Sequence, residues 1–198
     1  MTILYEGVPT KQKRISKCPK IQRLVIVGSG YVGLPTAALF ADAGLNVTAV
    51  DIKPEIVKNV NDGVSPINEP GLQELVSCNV QSGKLKAALN SDTTFNHDSI
   101  VFCVQTPIGK NKKPNLSFLM NALETVGKNL KKQMLITVCS TLPPRTMHEQ
   151  VKPLLESLSG LKADADFYLA YVPERIAPGN ALREFVESPR LVGGIGPN

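Results

Sequence analysis

Gly28, Gly30 and Gly33 stand in the order G-x-G-x-x-G, and Asp51 follows Gly33 by 18 residues. Residues of these types can hold a dinucleotide. Gly28 permits a tight turn, and Gly30 has no β-carbon to keep a pyrophosphate off the backbone. Gly33 lets a helix pack closely on a strand. Open N–H groups at a helix start, with the positive end of its dipole, attract phosphate. An acid at Asp51 accepts hydrogen bonds from an adenosine ribose and repels a 2′-phosphate, which favours NAD over NADP. A methyltransferase also sets a glycine loop and an acid around adenosine, so the glycines are weak grounds by themselves. Three more polar groups, Thr106, Thr141 and Glu174, each follow an apolar run closely. Apolar strands that end in hydroxyls or acids are what a single site requires.

The elements that must position these groups can be read from the pattern of apolar residues. Residues 24–27 are an aliphatic run of the kind buried on both faces of a parallel sheet. A helix is expected over about 31–43, with Gly44 as its C-terminal cap, and a second strand over 46–50 ends at Asp51. Residues 54–60 suit a short helix with Pro54 in its first turn, and 63–71 read as a loop. Residues 72–77 and 83–89 read as short helical pieces. Further strands are expected at 99–104, 134–139 and 166–171, with Asp98 closing the turn before the first of them. Helices are expected at 116–131 and 146–157. This alternation specifies an α/β fold, a Rossmann-like doubly wound, mostly parallel sheet flanked by helices, in a single domain over residues 21–198.

The chain has 198 residues, 42% hydrophobic and 20% charged, with a net charge of +5. No apolar run is long enough to cross a bilayer, and the N-terminus lacks the apolar core of a signal peptide, so a cytoplasmic protein with no membrane partner is expected. Six of the 22 basic residues fall in the first 23 positions. They have no interleaved aromatics and no nucleic-acid motif, so residues 1–20 read as a solvated basic leader and no nucleic-acid partner is expected. Cys18, Cys78, Cys103 and Cys139 show no metal-ligand spacing, and no metal site is expected.

Taken together, the residues resemble the UDP-glucose/GDP-mannose dehydrogenase family, the nucleotide-sugar 6-dehydrogenases. The stretches that carry the resemblance run in the family's order from about residue 23 to 194. They are VGSGYVGLPTAALFADAG, VDIKPEIVKNVNDGVSPINEPGLQELV, VQTPIG, PNLSFL, STLPPRT and PERIAPGNALREFVESPRLVGG. The resemblance implies oxidation of a sugar C6 alcohol to a carboxylate in two hydride transfers to two NAD, through a cysteine-bound intermediate. It implies that Tyr31 and Val32 bind NAD with Asp51, and that Thr106 lies against the cofactor. Thr141 would sit near the nicotinamide and help position water. Glu174 would assist hydrolysis of the thioester, orienting or deprotonating a water. Arg175 and Ile176 would touch the sugar nucleotide.

Substrate choice follows from the same resemblance. The run from Glu174 to Gly179 is similar to the subgroup that oxidises UDP-N-acetylhexosamines, notably UDP-N-acetyl-D-mannosamine. The UDP-glucose subgroup has Phe after the acid and a second Glu four positions on, where this chain has Arg175 and Pro178. UDP-glucose specificity and an inert NAD-binding module are the alternatives, with a β-hydroxyacid dehydrogenase behind them. The chain departs from the family at Arg145, where Gly is usual, which bears on the turn presenting Thr141. The family's connecting helix, which builds its dimer, is expected to be missing after Asn198. Its second domain and nucleophilic cysteine are expected to be missing too. Cys103 and Cys139 lie in apolar runs and read as small buried residues, so this chain alone is expected not to complete the oxidation.

Overall fold

The computed structural model describes residues 20–89, 97–109 and 112–196; Cys18 and nearly all of the leader lie outside them. Seven strands form one sheet in the order β3-β2-β1-β4-β5-β6-β7. The strands are β1 (Arg23–Val27), β2 (Asn46–Asp51), β3 (Leu85–Leu89), β4 (Ser99–Phe102), β5 (Leu135–Val138), β6 (Tyr168–Tyr171) and β7 (Gly193–Gly194). All neighbours pair in parallel except β6 and β7. The helices are α1 (Gly33–Asp42), α2 (Pro54–Asn61), α3 (Leu72–Gln81), α4 (Ser117–Gly127), α5 (Lys152–Ser159) and α6 (Ala181–Glu187). The expected doubly wound sheet is the fold observed.

Strand β1 shows why the sheet needs a helical layer on each side. Successive side chains of a strand point to opposite faces. Leu24 and Ile26 accordingly pack with Leu34, Ala37 and Val76 of α1 and α3. Val25 and Val27 instead join Leu123, Val126 and Leu155 of α4 and α5. Helix α1 ends where Gly44 takes φ +98. The Leu45 N–H bonds the Phe40 carbonyl at 3.1 Å and the Gly44 N–H bonds that of Ala41 at 2.9 Å, which closes the helix in a Schellman motif.

Three local expectations need correction. Residues 85–89 are not helical but form β3, paired with β2 from Val47 to Asp51. Lys, Ala and Leu favour helix, but pairing with β2 overrides so weak a preference. The outer edge of β3 is held by Asn61, which donates to the Ala87 carbonyl at 3.0 Å and accepts from its N–H at 2.7 Å. The helix expected over 146–157 begins as a π-helical turn, Met147–Val151, before α5. Pro153 has no N–H to give back to the preceding turn, and the bonding ahead of it widens by one residue. Helix α6 and strand β7 were not foreseen.

Asp98, expected to close the turn before β4, accepts from the backbone N–H groups of Gln22 and Arg23 at 3.0 and 2.9 Å; the residues of that turn lie outside the described ones. It also pairs with the Arg23 guanidinium at 2.7 Å. The guanidinium's hydrogen bond, helped by those two N–H groups, holds the Asp98 carboxyl down to about 2.

Candidate functional site

The chain leaves β1 toward β2 and β3 on one side and returns to β4, β5 and β6 on the other. The carboxyl ends of β1 and β4 therefore flank the point where the winding reverses, the place where such sheets bind ligands. Gly28 lies there with φ +95, its N–H on the Val50 carbonyl at 2.8 Å. A β-carbon on Gly28 would come within 3.0 Å of the Cys103 and Val104 backbone. One on Gly33 would stand 1.7 Å from the Gly28 carbonyl oxygen, so only glycine lets α1 start this close to β1. At Gly30 an added β-carbon would meet nothing within 4 Å.

Among the described residues, the N–H groups of Gly30, Tyr31 and Val32 have no protein acceptor. Tyr31 is 60% exposed. Asp51 sits opposite them at the end of β2. One of its oxygens accepts the Ser29 N–H at 2.9 Å and the other the Lys53 N–H at 3.0 Å. Ile52, next to it, is an exposed apolar side chain. The structure thus brings the glycine turn, Asp51 and the helix start together.

Thr106 and Thr141 are also brought together. The Thr106 hydroxyl donates to the Thr141 carbonyl at 2.8 Å, and the Ser140 hydroxyl donates to that of Val104 at 2.6 Å. The loops after β4 and β5 are therefore tied to each other by side chains. The Leu142 N–H, on the same turn, donates to the Tyr171 hydroxyl at 3.3 Å. Arg145 takes φ +71. It adopts the left-handed conformation for which glycine is suited and pairs with Glu149 at 2.8 Å.

Beneath these loops, Cys103 and Cys139 follow the paired ends of β4 and β5 as neighbours. The Cys139 side chain beside it, with burial, pushes the Cys103 thiol up, and the same pairing holds the Cys139 thiol down. Cys78, by contrast, is exposed on α3. The expectation of two small buried residues holds for Cys139, and Cys103 is partly covered.

Glu174 begins the segment after β6, and its N–H bonds the Cys139 carbonyl at 3.3 Å. Its side chain is only 9% exposed. Oε1 accepts the N–H groups of Arg175 and Ile176 at 2.7 and 3.0 Å, and Oε2 pairs with Arg190 at 2.8 Å. The Arg190 guanidinium also lies 3.9 Å over the Phe185 ring. Glu174, Arg175, Ile176 and Arg190 line a cleft of about 160 Å³. Arg175 is exposed, and among the described residues its guanidinium has no hydrogen-bond or ion-pair partner. No described hydrogen bond joins Glu174 to Asp51, Thr106 or Thr141. Among the described residues, no group of three or more acids, histidines or cysteines could hold a metal. Likewise, no helix is long and apolar enough to cross a membrane.

Residue-by-residue reading of the sequence missed Glu69, Ser140, Tyr171 and Arg190. Ser140 lies in the STLPP stretch and Glu69 in the INEPG stretch, both already singled out. What was absent was any sign that their partners lie far along the chain.

Comparison with known proteins fits this geometry. The profile of the UDP-glucose/GDP-mannose dehydrogenase family, NAD binding domain, matches residues 22–198. A UDP-N-acetyl-D-mannosamine dehydrogenase of Pyrococcus horikoshii is 38% identical over 173 residues, 87% of this chain and 41% of that protein. A solved structure of the Staphylococcus aureus UDP-N-acetyl-mannosamine dehydrogenase superposes with a TM-score of 0.83 at 38% identity, covering 88% of this chain and 42% of the other. An NDP-N-acetyl-D-galactosaminuronic acid dehydrogenase from Methanosarcina mazei gives 0.83 at 37% identity, covering 89% and 39%. The chain thus spans about two-fifths of the length of the relatives it matches.

Proposed function

The chain belongs to the UDP-glucose/GDP-mannose dehydrogenase family as an NAD-binding domain, and from that premise we propose that it serves the oxidation of a UDP-N-acetylhexosamine at C6 to the uronic acid, with two NAD. UDP-N-acetyl-D-mannosamine is the first candidate, because the relatives above include dehydrogenases of that sugar nucleotide. A homodimer or higher homo-oligomer is proposed for the complete enzyme, by resemblance to the family.

The observation that carries the reading is the set of open N–H groups at Gly30–Val32 facing Asp51. NAD fits this arrangement: the open space at Gly30 admits the pyrophosphate and the Asp51 carboxylate meets the adenosine ribose. When bound, NAD supplies the hydride acceptor. Ser29 and Lys53 fix the Asp51 carboxylate in place before the ribose arrives. Thr106 and Thr141, tied to each other, form the wall on which the nicotinamide side rests. A carboxylate offers about four acceptor positions, and three bonds occupy Glu174. The remaining position can orient a water, as a general base requires. Arg175 offers an exposed cation to an anionic sugar nucleotide.

Cys139 is buried and Cys103 is partly covered with its thiol pushed up, so neither offers the exposed setting of a nucleophile. The 198-residue chain is therefore proposed to bind NAD without completing the oxidation by itself. Calorimetric titration with NAD and NADP tests the cofactor site, and Asp51→Ala should weaken NAD binding by about 1–3 kcal/mol. Equal affinity for NADP would remove the role given to Asp51. Uronic acid formed from UDP-N-acetylmannosamine by the chain alone would refute the division of labour.

A further inference from the structure

The segment from Glu174 to Ala181 carries Arg175 and Ile176, and every N–H from 175 to 181 has an acceptor within the protein. Glu174 takes those of Arg175 and Ile176. Glu184 takes that of Ala177 at 2.8 Å. Asn180 bonds the Ala177 carbonyl at 3.2 Å, and Pro178 has no N–H. Glu69 takes the last two, accepting from Gly179 at 2.7 Å and from Ala181 at 2.6 Å. Five of the six N–H groups therefore rest on carboxylates.

Glu69 differs from the other two acids. Glu174 and Glu184 belong to the segment or to the helix that follows it, and they would move with it. Glu69 lies in the loop between α2 and α3, 110 and 112 residues from its partners. It is only 6% exposed, so its bonds are charge-assisted and shielded from water. Leaving either partner or the carboxylate unpaired there would be costly.

We propose that Glu69 is a positioning residue: its buried carboxylate fixes the segment 175–181 on the body of the domain and so holds Arg175 and Ile176 toward the sugar nucleotide. It touches no reacting atom. The inference rests on the substrate reading above, in which those two residues meet the sugar nucleotide.

The test compares wild type with Glu69→Gln, Glu69→Ala, Arg175→Ala and the Glu69→Ala/Arg175→Ala pair. Affinities for NAD and UDP-N-acetylmannosamine are measured together with amide hydrogen exchange. Glu69→Ala should speed exchange at Gly179 and Ala181, and at Arg175–Ala177 beyond them, by about tenfold or more. It should weaken sugar-nucleotide binding by about tenfold, the scale of one lost charged hydrogen bond, with NAD affinity within about twofold. Glu69→Gln keeps the shape and one acceptor oxygen, and should recover part of both effects even where Glu69→Ala folds poorly. The double variant should lose little more than Arg175→Ala, because the clamp acts through Arg175 and its segment. Additive losses, or unchanged exchange at 175–181, would overturn the proposal. A wild type that binds NAD but no sugar nucleotide would overturn the substrate reading and the purpose assigned to the clamp. The exchange data would then still show whether the clamp exists.

Discussion

Around Gly30 three successive backbone N–H groups are left open, whereas along residues 175–181 every one is taken. The two ends of the site are thus built on opposite rules. At the glycine turn the backbone itself is the ligand-binding group, and the protein clears space for an anion by omitting β-carbons. At the acid end the backbone is saturated by carboxylates, which leaves side chains such as Arg175 to meet a ligand. An open row of N–H groups attracts phosphate; a satisfied one makes a rigid platform.

The largest expected effect tests the first rule. Gly33→Ala places a β-carbon 1.7 Å from a backbone oxygen that cannot give way. It should cost about 3 kcal/mol of stability and abolish NAD binding, measured by denaturant unfolding and calorimetry. Retained NAD affinity would mean that the helix start is not the phosphate site. Next comes the acid end. Arg190→Ala leaves the Glu174 carboxylate, 9% exposed, without its cation. The loss should be about 2 kcal/mol, less than for a fully buried pair because Arg190 is itself part-exposed. NAD affinity should stay within about twofold, and a large fall would mean that the two ends are one unit.

The comparison also explains what was legible beforehand. The glycine turn is a local device: strand, three glycines, helix and acid follow one another, and each can be recognised from its neighbours. The platform is a non-local device. Glu69 and Ala181 are 112 residues apart, and neither carries a mark of the other. Helix α6 has only seven residues and packs behind that clamp, and β7 is a Gly-Gly pair with no strand character. Strand β3 misled for a different reason, since its residues favour helix and only pairing with β2 makes them extended. Glu174 stood out as an acid at a strand end, whereas only resemblance to a family pointed to Arg175 and Ile176.

Two smaller effects concern places outside both ends. Asp98 ties the start of β4 to the start of β1, at the amino ends of the strands, opposite the site. Its folded pKa of about 2 lies below the unfolded value, so its contribution is present in full above pH about 4 and is lost as pH falls toward about 2. Asp98→Asn should cost about 1 kcal/mol at pH 7, and the gap to wild type should close over that acid range. A gap independent of pH would show that the Asp98 charge contributes little. Arg145 holds a left-handed turn with a side chain poorly suited to it. Arg145→Gly should gain about 1 kcal/mol, reduced slightly by loss of the exposed pair with Glu149. Thermal unfolding gives the sign, and destabilisation would mean that the Glu149 pair outweighs the backbone strain.

The strand order carries a consequence for how the chain is made. Of the described strands, β1 is made before β2 and β4, yet it lies between them, inside the sheet. One of its edges is covered as soon as Asn46–Asp51 have emerged. The other waits for Ser99–Phe102, much later in synthesis. Throughout that interval a short strand, apolar apart from Arg23, offers an unpaired row of N–H and carbonyl groups, which is a template for another nascent chain. The switch point that creates the binding crevice is therefore also the seam that closes last around β1.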